Sequence, residues 1–437
     1  MSFSFAFDID AAQLDDELAA STASLDHLDL TRDEPPQPST SAVPHQDVPL
    51  DDLLATLPPL LSYTPVTVPL SPAPKANHPR HVTLLRRDLF DARFQVLNQD
   101  EMAASDGEGQ AKDKRTHDDT FIDQHTDLVR GVYEGGLKTW ECSLDLVDCL
   151  DQRGFSLDSH LDTARVRGKS ILEVGCGTAV PTCALFARLL NEIRRAPTDQ
   201  GAPKPPKTRI HLQDYNKQVL SLITLPNLLL TYAQHLATPA SPAPSPPAPA
   251  PAPAPAPEAD EDATPSASAH QPTADAPSLA DQPQPGELDV TPEFLESFEA
   301  LLERENVELR FSVGDWAGMD AVVRGGGRGD AEGEGEGQGY DLVLTSETVY
   351  AVESLPALLD LLEAATAAST TTSDSGDALC LVACKRIYFG VGGGELEFRR
   401  RVEARGGVVE AVWGEGEGRG KSSGVGRTVM RVRWKGE

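Results

Sequence analysis

Four short stretches place acids, glycines and small polar groups in patterns suited to holding a nucleoside. The first is Glu173-Val174-Gly175-Cys176-Gly177, within "ILEVGCGTAVP". Glycines let a backbone turn sharply and come close to a ligand. Ala179 and Val180 stand where the dinucleotide fingerprint GxGxxG needs its last glycine, and no P-loop lysine follows. A nicotinamide cofactor or a nucleoside triphosphate is therefore disfavoured. The second stretch is "LQDYN", with Asp214 followed by Tyr215 and Asn216. A carboxylate there can accept from both hydroxyls of a ribose; a helix N-cap explains it as well. The third is Gly314-Asp315-Trp316, in which Asp315 could accept from an adenine amino group and Trp316 could wall the pocket. The competing account is a capping aspartate beside a core tryptophan. The fourth, "LTSETVY", brings Ser346, Glu347 and Tyr350. Upstream, "GGLKTWECS" turns a corner through Trp140, Glu141, Cys142 and Ser143.

These residues need a scaffold that sets them side by side. Each stretch closes or adjoins a short apolar run that reads as a strand: "KSILEVG", "RIHLQD", "VELRFSV" and "YDLVLTS". "ALCLVACK" and "RTVMRVRW" read as two more. Between them lie helical patterns: "PTCALFARLLNEI", "KQVLSLITLPNLLLTYAQHL" with a kink or break near Pro226, "TPEFLESFEALLERE" and "LPALLDLLEAATAA". Thr291 is the expected N-cap of the third, with Pro292 at its first position. Strands alternating with helices predict an α/β fold, a parallel sheet covered on both faces. In such sheets ligands sit at the carboxyl ends of the strands.

The rest of the chain is poorer in structure-forming pattern. It has 437 residues, 35 prolines, 35 glycines and only 5% aromatics. Residues 1–115 read as a largely disordered acidic tail, with twelve Asp/Glu against one Arg in the first sixty positions. Residues 116–437 form the folded domain, interrupted by a Pro/Ala insertion at about 238–287 and a Gly/Glu insertion at 324–339. A net charge of −30 makes nucleic acid an unsuitable direct partner, because phosphate binding needs a basic surface. It fits a basic protein partner, since opposite fields speed encounter, and fits as well an acidity that only keeps a disordered chain soluble. The six cysteines form no CxxC pair and no zinc pattern, so no metal is expected and reduced core thiols are. No basic leader opens the chain, and no apolar run suggests a membrane span. A soluble intracellular protein of cytoplasm and nucleus is the expectation.

Taken together, the stretches resemble the seven-stranded, Rossmann-like S-adenosylmethionine-dependent methyltransferases. "GVYEGGLKTWECSLDLV", "ILEVGCGTAVP", "QDYNKQVLSLITLPNLLL", "GDW", "LTSETVY" and "YFGVGGG" resemble more narrowly the eukaryotic histidine protein methyltransferase family. The glycine loop is shared by many methyltransferases; "GGLKTWECS" and "YFGVGGG" are far more specific. The resemblance implies S-adenosyl-L-methionine as cofactor and a histidine of a large-subunit ribosomal protein as substrate. It implies that Trp140 to Ser143 close the methionine end of the pocket and that Glu173, Gly175 and Gly177 line the cofactor. Asp214 to Asn216 would hold the ribose, Gly314 to Trp316 the adenine, and Ser346 the rim near the methyl group. Glu347, then Glu141, is the candidate to hold the ring N–H of the substrate histidine and so select its tautomer. Tyr388 and Phe389 would offer flat contacts, and Gly390 with Gly392 to Gly394 would let a substrate backbone pass. Two alternatives stay open on the residues alone: a lysine methyltransferase of the same fold, and a non-catalytic ribosome assembly factor that binds the cofactor.

Overall fold

The computed structural model describes residues 43–72, 79–92, 95, 128–129, 133–134, 136–157, 163–196, 204–238, 284–325, 339–367, 378–389, 392–414 and 425–434. The expected tail over 1–42 and the cores of both expected insertions lie outside the described residues.

The strands run in chain order β1 (Gln46–Val48), β2 (Leu60–Leu70), β3 (Arg80–Arg87), β4 (Leu128–Val129), β5 (Tyr133–Glu134), β6 (Ser170–Val174), β7 (Thr208–Asp214), β8 (Gly286–Asp289), β9 (Val307–Val313), β10 (Leu342–Ser346), β11 (Leu379–Lys385), β12 (Val408–Gly414) and β13 (Arg427–Arg433). Eight of them make one sheet in the order β1-β9-β7-β6-β10-β11-β13-β12. The five central strands, β9 to β11, are mutually parallel; β13 and β12 close one edge antiparallel. This is the Rossmann-like methyltransferase sheet, with an eighth short strand, β1, added antiparallel to β9.

Its central strands bury both faces, as parallel strands under helices must. On one face Ile171, Ile210, Phe311 and Leu344 meet the helices Glu141–Gln152, Val180–Arg195, Leu225–Ala237 and Pro292–Arg304. On the other, Leu172, Val174, Val343 and Val382 meet Trp316–Gly325, Leu355–Ala367 and Glu395–Ala404. All six cysteines are buried free thiols. Thr291 caps its helix as expected, accepting from the Phe294 N–H at 3.2 Å.

Pro226 does not break its helix. A π turn, Leu220–Thr224, runs directly into Leu225–Ala237 with the proline at its second position, and the Leu222 carbonyl four residues back accepts from Arg87 Nη1 at 2.9 Å instead. The whole run Lys217–Ala237 is long and apolar enough to cross a membrane, which the sequence reading did not anticipate; most of it is buried inside the fold.

The tail begins to fold earlier than composition suggests. Residues 43–72 and 79–92 carry β1 to β3, and β2 pairs with both β3 and β8 in a second sheet, β3-β2-β8. β8 also starts within the expected Pro/Ala insertion. Prolines interrupt the apolar pattern of "LLSYTPVTVPL", in which Leu61 and Val68 are fully buried. This sheet is tied to the helix Glu141–Gln152 by ions. Arg80 makes a two-pronged bond to Asp151, at 2.8 and 2.9 Å, and Ser71 donates to Asp148.

Candidate functional site

The carboxyl ends of β6, β7, β9, β10 and β11 meet along one edge, and the described candidate residues lie at or beside it. After β6 the chain turns through Gly175 (φ 62°) and Gly177 (φ 50°) into an Ala179 that is itself left-handed (φ 50°). A Cβ at Gly175 would stand 2.6 Å from Thr348 Cγ2, so the loop must be glycine there. The Gly177 N–H donates to Asp214 Oδ2 at 2.9 Å, and the Asn216 N–H donates to Oδ1 at 3.2 Å. Asp214 thus ties the glycine loop to the end of β7. It is not the helix cap: Asn216 is, accepting from the Gln218 N–H at 2.9 Å. Burial pushes the Asp214 carboxyl up to about 6, against the lowering by these backbone donors.

At the end of β9, Asp315 does serve as a cap. Its Oδ1 accepts from the Gly318 N–H at 2.6 Å, and its own N–H donates to the Val43 carbonyl at 2.9 Å. Residues 43–45 lie across this turn, and the Tyr215 hydroxyl accepts from the Val43 N–H at 3.2 Å. Trp316 is part-buried, its Nε1–H donating to Gln213 Oε1 at 3.1 Å.

The rim is built by β10, β11 and the corner before the helix Glu141–Gln152. Ser346 ends β10, partly exposed. Glu347 follows with φ 58°, rare for a residue with a side chain and a frequent mark of a functional turn. Its N–H donates to the Ala383 carbonyl at 2.9 Å, and its Oε2 accepts from the Tyr388 hydroxyl at 2.5 Å. Lys385 Nζ lies 3.3 Å from Glu141 Oε2 and 3.8 Å from Glu347 Oε1. The same ammonium stands 4.9 Å from the Trp140 ring centre, and so does that of Lys138. Burial would raise the Glu141 carboxyl, but its own backbone N–H and the two lysines hold it below the ordinary value. Cys142 is buried beneath, its thiol pushed up by burial and by Glu347. Ser143 is buried too and donates to the Trp140 carbonyl at 2.7 Å.

No protein-family profile matches the chain. Curated relatives do. The chain is 30% identical over 321 residues to histidine protein methyltransferase 1 of Schizosaccharomyces pombe, covering 74% of this chain and 69% of the relative. It is 28% identical to histidine protein methyltransferase 1 of Saccharomyces cerevisiae, covering 72% and 67%. The Bos taurus homolog is 27% identical, over 64% of this chain and 52% of its own length. The chain belongs to the histidine protein methyltransferase family.

Within this family member, several site residues carry no signal in the sequence. Gln213 accepts from both Gly175 N–H and Trp316 Nε1–H, and donates to the Gly314 carbonyl at 2.9 Å. Thr224, in the π turn, donates to the Gly177 carbonyl at 2.7 Å. Asn227 donates to the Thr178 carbonyl at 2.8 Å and accepts from the Arg87 N–H at 2.8 Å. Lys385, in "ALCLVACK", shows in the sequence only as the end of a strand. Two readings of "YFGVGGG" change. Tyr388 points inward to Glu347, while Phe389 is 80% exposed. Gly393 and Gly394 dock on the chain itself, their N–H groups donating to the carbonyls of Tyr350 and Val349 at 3.0 and 2.9 Å. Gly390 lies outside the described residues.

Glu173 supplies a test of its own. Its Oε2 accepts from the Thr182 N–H at 3.1 Å and from the Thr182 hydroxyl, while Oε1 is buried without a hydrogen-bond partner. Burial, with the Asp214 charge, pushes the carboxyl from 4.5 up to about 8 despite the Thr182 donors. Between those values the folded state keeps a proton that the unfolded chain has released. Stability contributed here therefore falls as pH rises, by up to about 1.4 kcal/mol per unit. Glu173→Gln cannot titrate. Its stability relative to wild type should climb between pH 5 and pH 8, read by urea unfolding at both values. Parallel pH dependences would show that the carboxyl stays ionised.

Proposed function

We propose that this chain transfers a methyl group from S-adenosylmethionine to one histidine of a basic protein, a large-subunit ribosomal protein. The observation that carries the cofactor assignment is the glycine loop pinned between Asp214 and Gln213 at the β6 end. The residues present fit such a donor. The loop has no room for a side chain at Gly175, where backbone can come close to a ligand. Asp214 would hold the ribose with lone pairs left free by its two backbone bonds. Gly314 to Trp316 would flank the adenine, and Trp140 to Ser143 would close the opposite end. When bound, the donor supplies a methyl group already activated by its sulfonium, so the protein's task is alignment.

A neutral imidazole brings its own lone pair and needs no strong base. The N–C bond would form as the methyl–sulfur bond breaks, moving the positive charge to the ring until its remaining N–H proton passes to Glu141 or to water. Glu141 is 51% exposed on its side chain and Glu347 only 9%. A substrate ring would reach Glu141 first, with Glu347 one layer beneath, orienting Lys385 and Tyr388. The −30 charge supports a basic protein partner.

Two measurements test this. Mass spectrometry of ribosomal proteins from cells lacking the chain should find one histidine without its methyl group. With purified protein, the rate should fall as pH drops through the substrate imidazole's pKa, about 6.5, because protonation removes the lone pair. Methylation of lysine with a rate rising steeply toward alkaline pH would overturn the histidine reading. Separately, Asp214→Ala should weaken S-adenosylmethionine binding by about 1.5–3 kcal/mol in calorimetry. Unchanged affinity in a folded variant would sink the ribose assignment.

A further inference from the structure

We propose that Lys385 sets substrate choice by filling, with the protein's own ammonium, the carboxylate and aromatic cage that a substrate lysine would occupy. The inference rests on the protein-histidine reading of the site and adds to it a physical reason for rejecting amines.

Recognition of an alkylammonium calls for carboxylates and an aromatic face set around one point. The rim has this set. Glu141 and Glu347 come from two different elements, and Trp140 presents its ring beside them. Lys385 Nζ stands at the common point, 3.3 and 3.8 Å from the carboxylates and 4.9 Å from the ring centre. Lys138 shares the ring but is exposed, whereas Lys385 bridges both acids.

The position of Lys385 is fixed from below. It is the last residue of β11, opposite Arg427 of β13, and its N–H donates to the Tyr388 hydroxyl at 3.2 Å. That hydroxyl in turn donates to Glu347, so backbone, phenol and carboxylate form one chain. The Lys385 side chain remains 22% exposed, at the mouth rather than inside the core. An incoming lysine would find both counter-charges taken and a like charge in place. A neutral imidazole arrives without a charge to be repelled and asks only for an N–H acceptor, which the half-exposed Glu141 can offer alongside its contact to Lys385. As an ammonium, Lys385 has no lone pair to offer a methyl group, so it blocks the cage without being a substrate.

The test uses the full chain with Lys385→Met and Lys385→Gln, either of which removes the charge, and Lys385→Arg, which keeps it. The probe is n-butylammonium chloride, titrated by calorimetry at pH 7. The neutral variants should bind it at least about tenfold more tightly than wild type, the scale of one desolvated cation–π contact. Lys385→Arg should behave as wild type. At pH 9 the neutral variants should also methylate a substrate protein whose target histidine is replaced by lysine, which wild type should leave unmodified. Should Lys385→Met fail to fold, Lys385→Gln carries the comparison. Equal n-butylammonium affinity in wild type and a folded neutral variant would overturn the proposal, as would a methyl group found on Lys385 of the wild-type protein. The calorimetry needs no methyl transfer, so a failure of the histidine reading would show elsewhere, as absence of any methylated histidine.

Discussion

Gln213→Leu is expected to lower stability by about 3 kcal/mol or more and to weaken S-adenosylmethionine binding at least about tenfold. Leucine fills nearly the same volume, so the loss is one of hydrogen bonds, not of packing. Gln213 is fully buried near the end of β7, between Val174 of β6 and Ser312 of β9. Its amide oxygen accepts from Gly175 and Trp316, and its amide nitrogen donates to the Gly314 carbonyl. One side chain therefore joins the glycine loop to the turn after β9. Removing it leaves the Gly175 N–H, the Trp316 indole N–H and the Gly314 carbonyl without this partner, at about 1–3 kcal/mol each where water cannot reach. Urea unfolding reads the first loss and calorimetric titration the second. A double-mutant cycle isolates the cause. In a Trp316→Phe background one orphaned donor is already gone, so the Gln213→Leu penalty should shrink by about 1 kcal/mol. Wild-type stability in Gln213→Leu would mean the two loops hold their shape without it.

That residue also marks where reading the sequence stops. The strand ends were legible because their chemistry is local: an apolar run, then a glycine or an acid. Gly175, Asp214, Gly314 and Ser346 all lie at the carboxyl edge that this pattern predicts. Gln213 is one amide in "RIHLQD", indistinguishable there from a polar position on a half-exposed strand. Its role exists only because β7 lies between β6 and β9. Arg87 and Asn227 are 140 positions apart and meet through a hydrogen bond no local pattern encodes. The N-terminal strands failed for a different reason. Proline and acid content over residues 1–115 outweighed short apolar runs, though Leu61, Val68 and Leu84 are as buried as any core residue. Asp214 and Asn216, two residues apart, exchanged the role of cap, because which of them caps depends on the backbone angle at the end of β7.

The glycines of "YFGVGGG" carry the second large expectation: Gly393→Ala should abolish most methyl transfer while leaving donor affinity intact. The added Cβ would stand 2.1 Å from the Tyr350 carbonyl oxygen and 2.3 Å from that of Val349, both backbone atoms that no rotamer change can move. The two segments must separate. The N–H bonds of Gly393 and Gly394 to those carbonyls go with the contact, as does the bridge between Ala351 and Gly392. What lies on either side of the seam is the rim. Glu347 precedes it by a few residues, and Tyr388, whose ring meets that of Tyr350 edge-on at 6.3 Å, follows Lys385. Opening the seam would pull Tyr388 from Glu347 and unsettle the carboxylate and ammonium pair at the mouth. The glycine loop, Asp214 and Gln213 are held by β6, β7 and β9 and do not use this seam. The turnover of a protein substrate should therefore fall by about a hundredfold or more, the scale of a misplaced reacting group, with calorimetric S-adenosylmethionine affinity within about twofold of wild type. Gly406→Ala supplies the control. Gly406, unlike Gly393, is left-handed, at φ 79°, and a Cβ there meets nothing within 4 Å, so only backbone strain of about 1 kcal/mol arises there. Equal effects of the two substitutions on turnover would mean that general destabilisation, not the collision with Tyr350, lowers activity. Full activity in Gly393→Ala would mean that the seam plays no part in placing the acceptor.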